Sequence, residues 1–394
     1  MNDKFHIEID CQQKNHEGER ICGDVFISRK IKEENRIIAV LSDGMGHGVK
    51  ANILATLTST MAVNFTSEHK EMEKIAEIIM NTLPVCSERK ISYSTFTIID
   101  IDTKGKTSIL EYDNPNAIIL RGNKLYEFNW ENIILKGEKN QGKKLRFYSF
   151  YAQKEDRIIF SSDGITQSGL GSRLYPFGWG HDNLESYVLK LVNNNPKIAG
   201  SHLGLKVVNM AHKNDNYTAK DDTSCGVIYF REPRKLLICT GPPYEKENDK
   251  VYADKLSNFD GKKILCGATT SDIISREWNE KIVDSFEFED PDLPPTSQMK
   301  GIDLITEGIL TLSKVSKLID KYGPNTQLGR GPADLIVKMI LESDEINMVI
   351  GTRINIAHQD PNLPIDLEIR RTVVKRIART LEDKFLKEVK VEFI

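Results

Sequence analysis

Long hydrophobic runs are missing from this chain. No segment approaches the 18 or so consecutive apolar residues that a membrane-crossing helix requires. The first residues, MNDKFHIEIDCQQKN, hold no apolar stretch of the kind a secretory leader carries. A dominant charge is missing as well. Lys and Arg number 54 against 57 Asp and Glu, for a formal net charge of -3, so there is no basic footprint for nucleic acid or an anionic membrane. The six cysteines, at 11, 22, 86, 225, 239 and 266, form neither a C-x-x-C pair nor a Cys/His zinc spacing, which points to reduced thiols rather than a disulfide or zinc framework. Internal repeats and low-complexity tracts are absent too. These absences predict a soluble, cytosolic protein that binds specific proteins or small molecules, with neither nucleic acid nor membrane among its partners.

What is present falls into two patterns. A chain of 394 residues exceeds the size at which one hydrophobic core stops growing, so two domains are expected. From 1 to 231, short β-branched or aromatic runs dominate, among them FHIEID, DVFIS, RIIAVLSD, STFTIIDID, TSILEYD, AIILRG, KLYEF, RIIFSSD and CGVIYF. Val49, Ile53, Leu57 and Met61 recur at intervals of four and predict a helix, with a second at about 69 to 83 and a helical pair at about 183 to 213. Runs such as IIAVL, apolar on both faces, imply sheets covered on both sides. After the charged joint REPRK, strands and helices alternate from LLICTG to KVEFI, the pattern of an α/β domain with a partly parallel sheet. The boundary is placed near 232.

The stretch LSDGMGHGVKAN sets a single carboxylate, Asp43, in a strand-to-helix turn with glycines at 44, 46 and 48. Three glycines in five positions suggest a main chain that passes close to something. Phosphate loops follow their glycines with Lys and Ser or Thr, or space them G-x-G-x-x-G, and neither pattern occurs here. The acid points to a cation, and a cation needs further carboxylates. RIIFSSDGI supplies Asp163 at a strand end, AKDDTSCGVIYF supplies Asp221 and Asp222 before a strand, and ICGDVFIS supplies Asp24 before another. Any one of these suits an ordinary turn cap. Four such sites at strand ends, where loops gather, offer the all-oxygen donors that Mg2+ and Mn2+ prefer.

The motifs GD-x-F, SDGMGHG, SSDGI and DDTS, in this order, resemble the metal-dependent protein phosphatases of type 2C. DGMGHG is similar to the bacterial branch typified by stage II sporulation protein E. The resemblance spans about 1 to 231 and implies an α+β fold, a β-sandwich flanked by paired helices, followed here by a smaller α/β domain. It implies two Mn2+ or Mg2+ ions, with Asp43 bridging them and the Gly44 carbonyl on one, Asp163 and Asp221 on the other, and Asp24 acting directly or through water. Asp222 competes with Asp221 for the ligand position. Hydrolysis of phosphoserine or phosphothreonine by a metal-activated water would follow. The chain departs from eukaryotic-type members in having Met45 where they place a histidine directly after Asp-Gly. His47, two residues on, is then the candidate acid, and no matching phosphate-binding arginine is found.

In the second domain, CGATTSDIIS runs from a strand end into a helix with Thr269, Thr270 and Ser271 near its start, and GRGPADLI repeats the device with Arg330. Helix N-termini attract anions, so a small anionic ligand is expected there, against the simpler reading of N-capping. Two functions follow: a Ser/Thr phosphoprotein phosphatase with a regulatory or partner-selecting C-terminal domain, or a metal-binding scaffold of little activity.

Overall fold

The computed structural model describes residues 5–31, 33–68, 71–82, 94–136, 140–323, 326–353, 366–385 and 387–394; Cys86 lies outside them. The chain separates into two compact units, Met1–Glu232 and Pro233–Ile394.

In the first unit one antiparallel sheet holds β1 (His6–Lys14), β6 (Ile118–Arg121), β7 (Lys124–Leu125), β10 (Asp156–Ser161) and β11 (Thr223–Arg231), in the order β1-β11-β10-β6-β7. A second holds β2 (Val25–Ile31), β3 (Arg36–Gly44), β4 (Ser94–Ile101), β5 (Lys106–Tyr112), β8 (Glu131–Ile134) and β9 (Lys144–Tyr151), in the order β2-β3-β4-β5-β9-β8. Among the described residues five helices accompany them: α1 (Gly48–Ser67), α2 (Met72–Thr82), a short α3 (Asp163–Thr166), α4 (His181–Asn194) and α5 (Gly200–Asn214).

The two-residue strand period sorts the side chains into layers. From β3, Ala39 and Leu41 enter the core between the sheets, where they join Phe160 and Phe230. Ile38 and Val40 point the other way, into the layer shared with Val63, Ile75 and Ile79 of α1 and α2. On the far side Ile159 and Val227 pack with Leu184, Val188 and Val207 of α4 and α5. The result is the α+β helix-sheet-sheet-helix sandwich, and it explains why IIAVL is apolar on both faces. Each fully buried side chain of this size stabilises by about 1.5–3 kcal/mol.

Two details differ from the sequence expectation. The helix marked by Val49, Ile53 and Leu57 exists, but these three are 58%, 62% and 46% exposed, and Ala51, Ala55, Ser59 and Ala62 are buried instead. Small residues let the helix axis lie close to the sheet, which expels the larger ones. The aromatic strand β9 and the short β8 were not read from the sequence at all.

The second unit contains β12 (Lys235–Thr240), α6 (Asp249–Ser257), β13 (Lys262–Cys266), α7 (Ala268–Trp278), β14 (Val283–Asp284), β15 (Ser297–Met299), β16 (Ile302–Thr306), α8 (Ile309–Lys321), α9 (Pro332–Glu342), β17 (Glu345–Ile350), α10 (Asp366–Phe385) and β18 (Glu388–Phe393). Five strands are parallel, in the order β16-β13-β12-β17-β18, and β15 and β14 extend the β16 edge antiparallel. Helices α6 and α7 cover one face, with Tyr252, Leu256, Ile273 and Ile274 in that core. Helices α8, α9 and α10 cover the other, through Leu312, Ile336 and Ile377. Among the described residues no helix is long and apolar enough to cross a membrane.

Candidate functional site

Asp43 stands next to last in β3, and the chain then turns straight into α1. Gly46 and Gly48 turn it with φ of 91° and 72°, values that side chains disfavour. Gly44 answers a different need. A Cβ at this position would overlap the backbone carbonyl of Ala51, so the first turn of α1 can rest on the strand end only if residue 44 is glycine.

The strand register gathers the other acids at the same edge. Val25 pairs with Ser42, which sets Asp24 beside Asp43. Ser161 pairs with Cys225, so Asp163, two residues past the former, meets Asp221 and Asp222, which precede Thr223. Ser224 ties the groups together: its Oγ donates to Asp24 Oδ2 at 2.5 Å, and its N–H donates to Ser162 Oγ at 3.0 Å. Asp163 Oδ2 accepts Gln167 Nε2 at 2.6 Å, and Asp221 Oδ1 accepts the Asp222 N–H at 2.8 Å.

Burial, and after it the crowding of like charges, raises the carboxyl pKa values here. Burial, then the charges of Asp24, Asp163 and Asp221 and a hydrogen bond with Asp163, holds the Asp43 carboxyl well above the usual range. Burial pushes Asp24 up to about 7, against hydrogen bonds from Ser224 and Ser162 that lower it. Burial and Asp163 push Asp221 up to about 6. Among the described residues no three His, Cys, Asp or Glu side chains are arranged as they stand to hold a metal ion. The donor set nevertheless fits a hard cation. Asp24 Oδ1 and Asp222 Oδ2 are buried without a hydrogen-bond partner, and carboxylates that raise one another's pKa are relieved by positive charge.

The Asp pair divides its tasks. The Asp221 charge is among those that raise the Asp43 carboxyl, and Asp163 is among those that raise Asp221. Asp222, 2% exposed, accepts the His16 N–H at 2.9 Å and lies beneath Gly23. His47 is half exposed, takes Glu19 Oε1 at 2.7 Å, and stacks on His16 with ring centroids 4.2 Å apart. The sequence reading missed His16, Glu19, Ser162 and Ser224. His16 and Glu19 reach the site from a separate loop that no spacing marks, whereas Ser162 and Ser224 lie within the motifs SSDGI and DDTS and were given no role there.

In the second unit Thr269, Thr270 and Ser271 occupy the first turn of α7. Its N-cap is Gly267, and no side chain caps the helix. Arg330 is not brought to them: it borders a separate, smaller hollow with Glu287, Glu289 and Pro332. The turn before α9 already has its own anion, since Asp334 in the first turn accepts the Gly329 N–H at 2.9 Å.

Among solved structures, the phosphatase domain with a regulatory fragment of SpoIIE from Bacillus subtilis is similar at 17% identity and a TM-score of 0.48, covering 58% of this chain and 64% of that one. The RsbU and RsbW domains of a Mycobacterium tuberculosis protein align at 16% identity and a TM-score of 0.45, covering 64% and 68%. RsbX in complex with magnesium aligns at 18% identity and a TM-score of 0.39, covering 58% and 98%. The chain thus spans just under two thirds of the first of these. No curated protein sequence matches it. The family model of stage II sporulation protein E matches residues 33–231, half of the chain and the whole span from β3 to β11, and the chain belongs to that family of type 2C-like phosphatases.

Proposed function

We propose that the chain is a metal-dependent phosphatase of phosphoserine and phosphothreonine in proteins, acting in the cytoplasm, with residues 1–231 catalytic and 232–394 regulatory or partner-selecting. One observation carries the reading: acids from four separate strand ends, Asp24, Asp43, Asp163 and Asp221, meet at one edge of the sandwich, where burial and neighbouring charges raise the pKa of Asp24, Asp43 and Asp221. In this assignment Asp43, the Gly44 carbonyl, Asp163 and Asp221 would hold two Mn2+ or Mg2+ ions, with Asp24 acting directly or through water. When bound, such ions supply an acidified water as nucleophile and neutralise phosphoryl oxygens. The chain's own residues do the rest. Asp222 braces the 16–19 segment through the His16 N–H. Ser224 and Ser162 orient Asp24. His47, steadied by Glu19 and the His16 ring, is assigned to protonate the departing seryl or threonyl oxygen. The five described cysteines are free thiols, as suits a reducing compartment.

Hydrolysis of p-nitrophenyl phosphate that requires added Mn2+ and stops with chelator is the expected result. Metal binding by calorimetry without turnover on this substrate or on phosphoseryl peptides would instead support the scaffold reading.

A further inference from the structure

The second unit holds a cavity of about 1330 Å³ at the carboxyl ends of its parallel strands. Its place follows from topology. From β12 the chain winds outward through α6 and α7 on one face to β13 and β16, then through α8, α9 and α10 on the other to β17 and β18. The loops leaving β12 and β17 therefore lead to opposite faces, and a crevice opens at this reversal, where ligands of open α/β sheets bind.

The cavity floor is polar. Thr240 and Thr270 line it and are 2% and 1% exposed, so their hydroxyls are held in the floor rather than on the surface. The Thr270 Oγ1 faces the bare side of Gly267, 3.7 Å from where a Cβ would stand. The first turn of α7 opens into the same floor without an acid or a side-chain cap, in contrast to α8 and α9. Glu307 Oε2 accepts the Thr311 N–H at the start of α8, and Asp334 serves α9. The cation is Arg370 of α10. Its Nη1 lies over the bare Cα of Gly241 and donates to the Gly351 carbonyl at 3.2 Å, which fixes the guanidinium at the reversal point.

The rim is of another kind. Phe286 and Phe288 line the cavity and are 90% and 73% exposed, beside Pro294 and Pro295. Two aromatic rings left in solvent at a pocket mouth offer stacking surface for a flat ring. Asp272, Asp284 and Glu307 also line the cavity, which favours a ligand with donor groups between its anionic and planar ends over a bare polyanion.

We propose that this cavity binds a nucleoside phosphate, with the phosphate on the α7 start, the Thr240 and Thr270 hydroxyls and Arg370, and the base against Phe286 and Phe288. The cavity exceeds the roughly 300–1,000 Å³ of ordinary small-molecule sites, so a ligand of this size fits. The glycine fingerprint of dinucleotide folds is absent from the first turn, which reads Gly241-Pro242-Pro243, and α7 provides the phosphate seat in its place. The proposal is independent of the phosphatase assignment.

Titration calorimetry of the full chain in EDTA, which removes divalent ions from the acidic cluster, tests it with AMP, GMP, CMP and UMP and with inorganic phosphate. At least one nucleotide should bind saturably, and Arg370→Ala and Phe288→Ala should each weaken it about tenfold, a shift of 1.4 kcal/mol. Phe288 is exposed, so its replacement leaves the fold intact even if Arg370→Ala does not. Absence of binding by all four nucleotides would overturn the proposal, as would affinity unchanged in Phe288→Ala. Inorganic phosphate binding as tightly as the nucleotide would overturn the assignment of a nucleoside.

Discussion

Asp43 is the residue on which the metal assignment turns, because its carboxylate is crowded by three others. Asparagine keeps its shape and removes its charge. Asp43→Asn should therefore lower Mn2+ affinity and cut turnover more than about 100-fold, beyond the 10–100-fold typical of outer-sphere partners. The same crowding predicts the reverse effect on the metal-free fold. In chelator, Asp163→Asn should melt a few °C higher, since removing one charge relieves repulsion among the rest. A lower melting point for metal-free Asp163→Asn, or wild-type metal affinity in Asp43→Asn, would contradict the cluster. The acids themselves were legible in the sequence because each sits beside a strand in a turn motif. The choice between Asp221 and Asp222 was not, since adjacent residues on a turn have equal claims until their neighbours are known.

At the scale of elements, α1 shows what periodicity conveys and what it omits. Spacing at four marked a helix correctly, but the buried stripe is made of alanines and small hydroxyl residues. Close packing of α1 on β2, β3 and β4 selects small side chains, and hydrophobicity alone ranks them below Val49, Ile53 and Leu57. Ile53→Lys should thus change stability by no more than about 0.5 kcal/mol. Ala55→Leu, fully buried, should cost about 1–3 kcal/mol through overpacking. Urea midpoints of the two variants measure the contrast, and equal losses would show that the outer stripe is covered in the folded protein. The aromatic strand β9 escaped notice for a related reason: its burial pattern is mostly intermediate, so its sequence lacks clean alternation.

The stability of the whole molecule should depend on pH through groups that folding buries. Glu111, 1% exposed in β5, accepts the Ala117 N–H at 2.9 Å and stands 3.3 Å from Arg146. Burial outweighs the Arg146 charge and raises its carboxyl from 4.5 to about 8. Between these values the folded state holds a proton that the unfolded chain has lost, so this contribution is complete below 4.5 and disappears as pH rises through about 8. The urea midpoint of chelator-treated protein should fall between about pH 5 and pH 8.5, and Glu111→Gln should flatten that fall. Identical slopes in the two proteins would reject it. What the sequence alone determined is local: strand-to-helix turns with Asp-Gly at their ends, an alternation of elements after 232, and charge too balanced for a polyanion. Such features are written in contiguous residues, since a turn or a strand needs particular backbone conformations and periods within a few positions. Only the tertiary structure decided that Asp222 accepts the His16 N–H, that α1 turns its larger residues outward, and that Arg370 rather than Arg330 lines the cavity with Thr270. Each depends on contacts between residues scores of positions apart, which sheet register and helix packing create and no local spacing encodes.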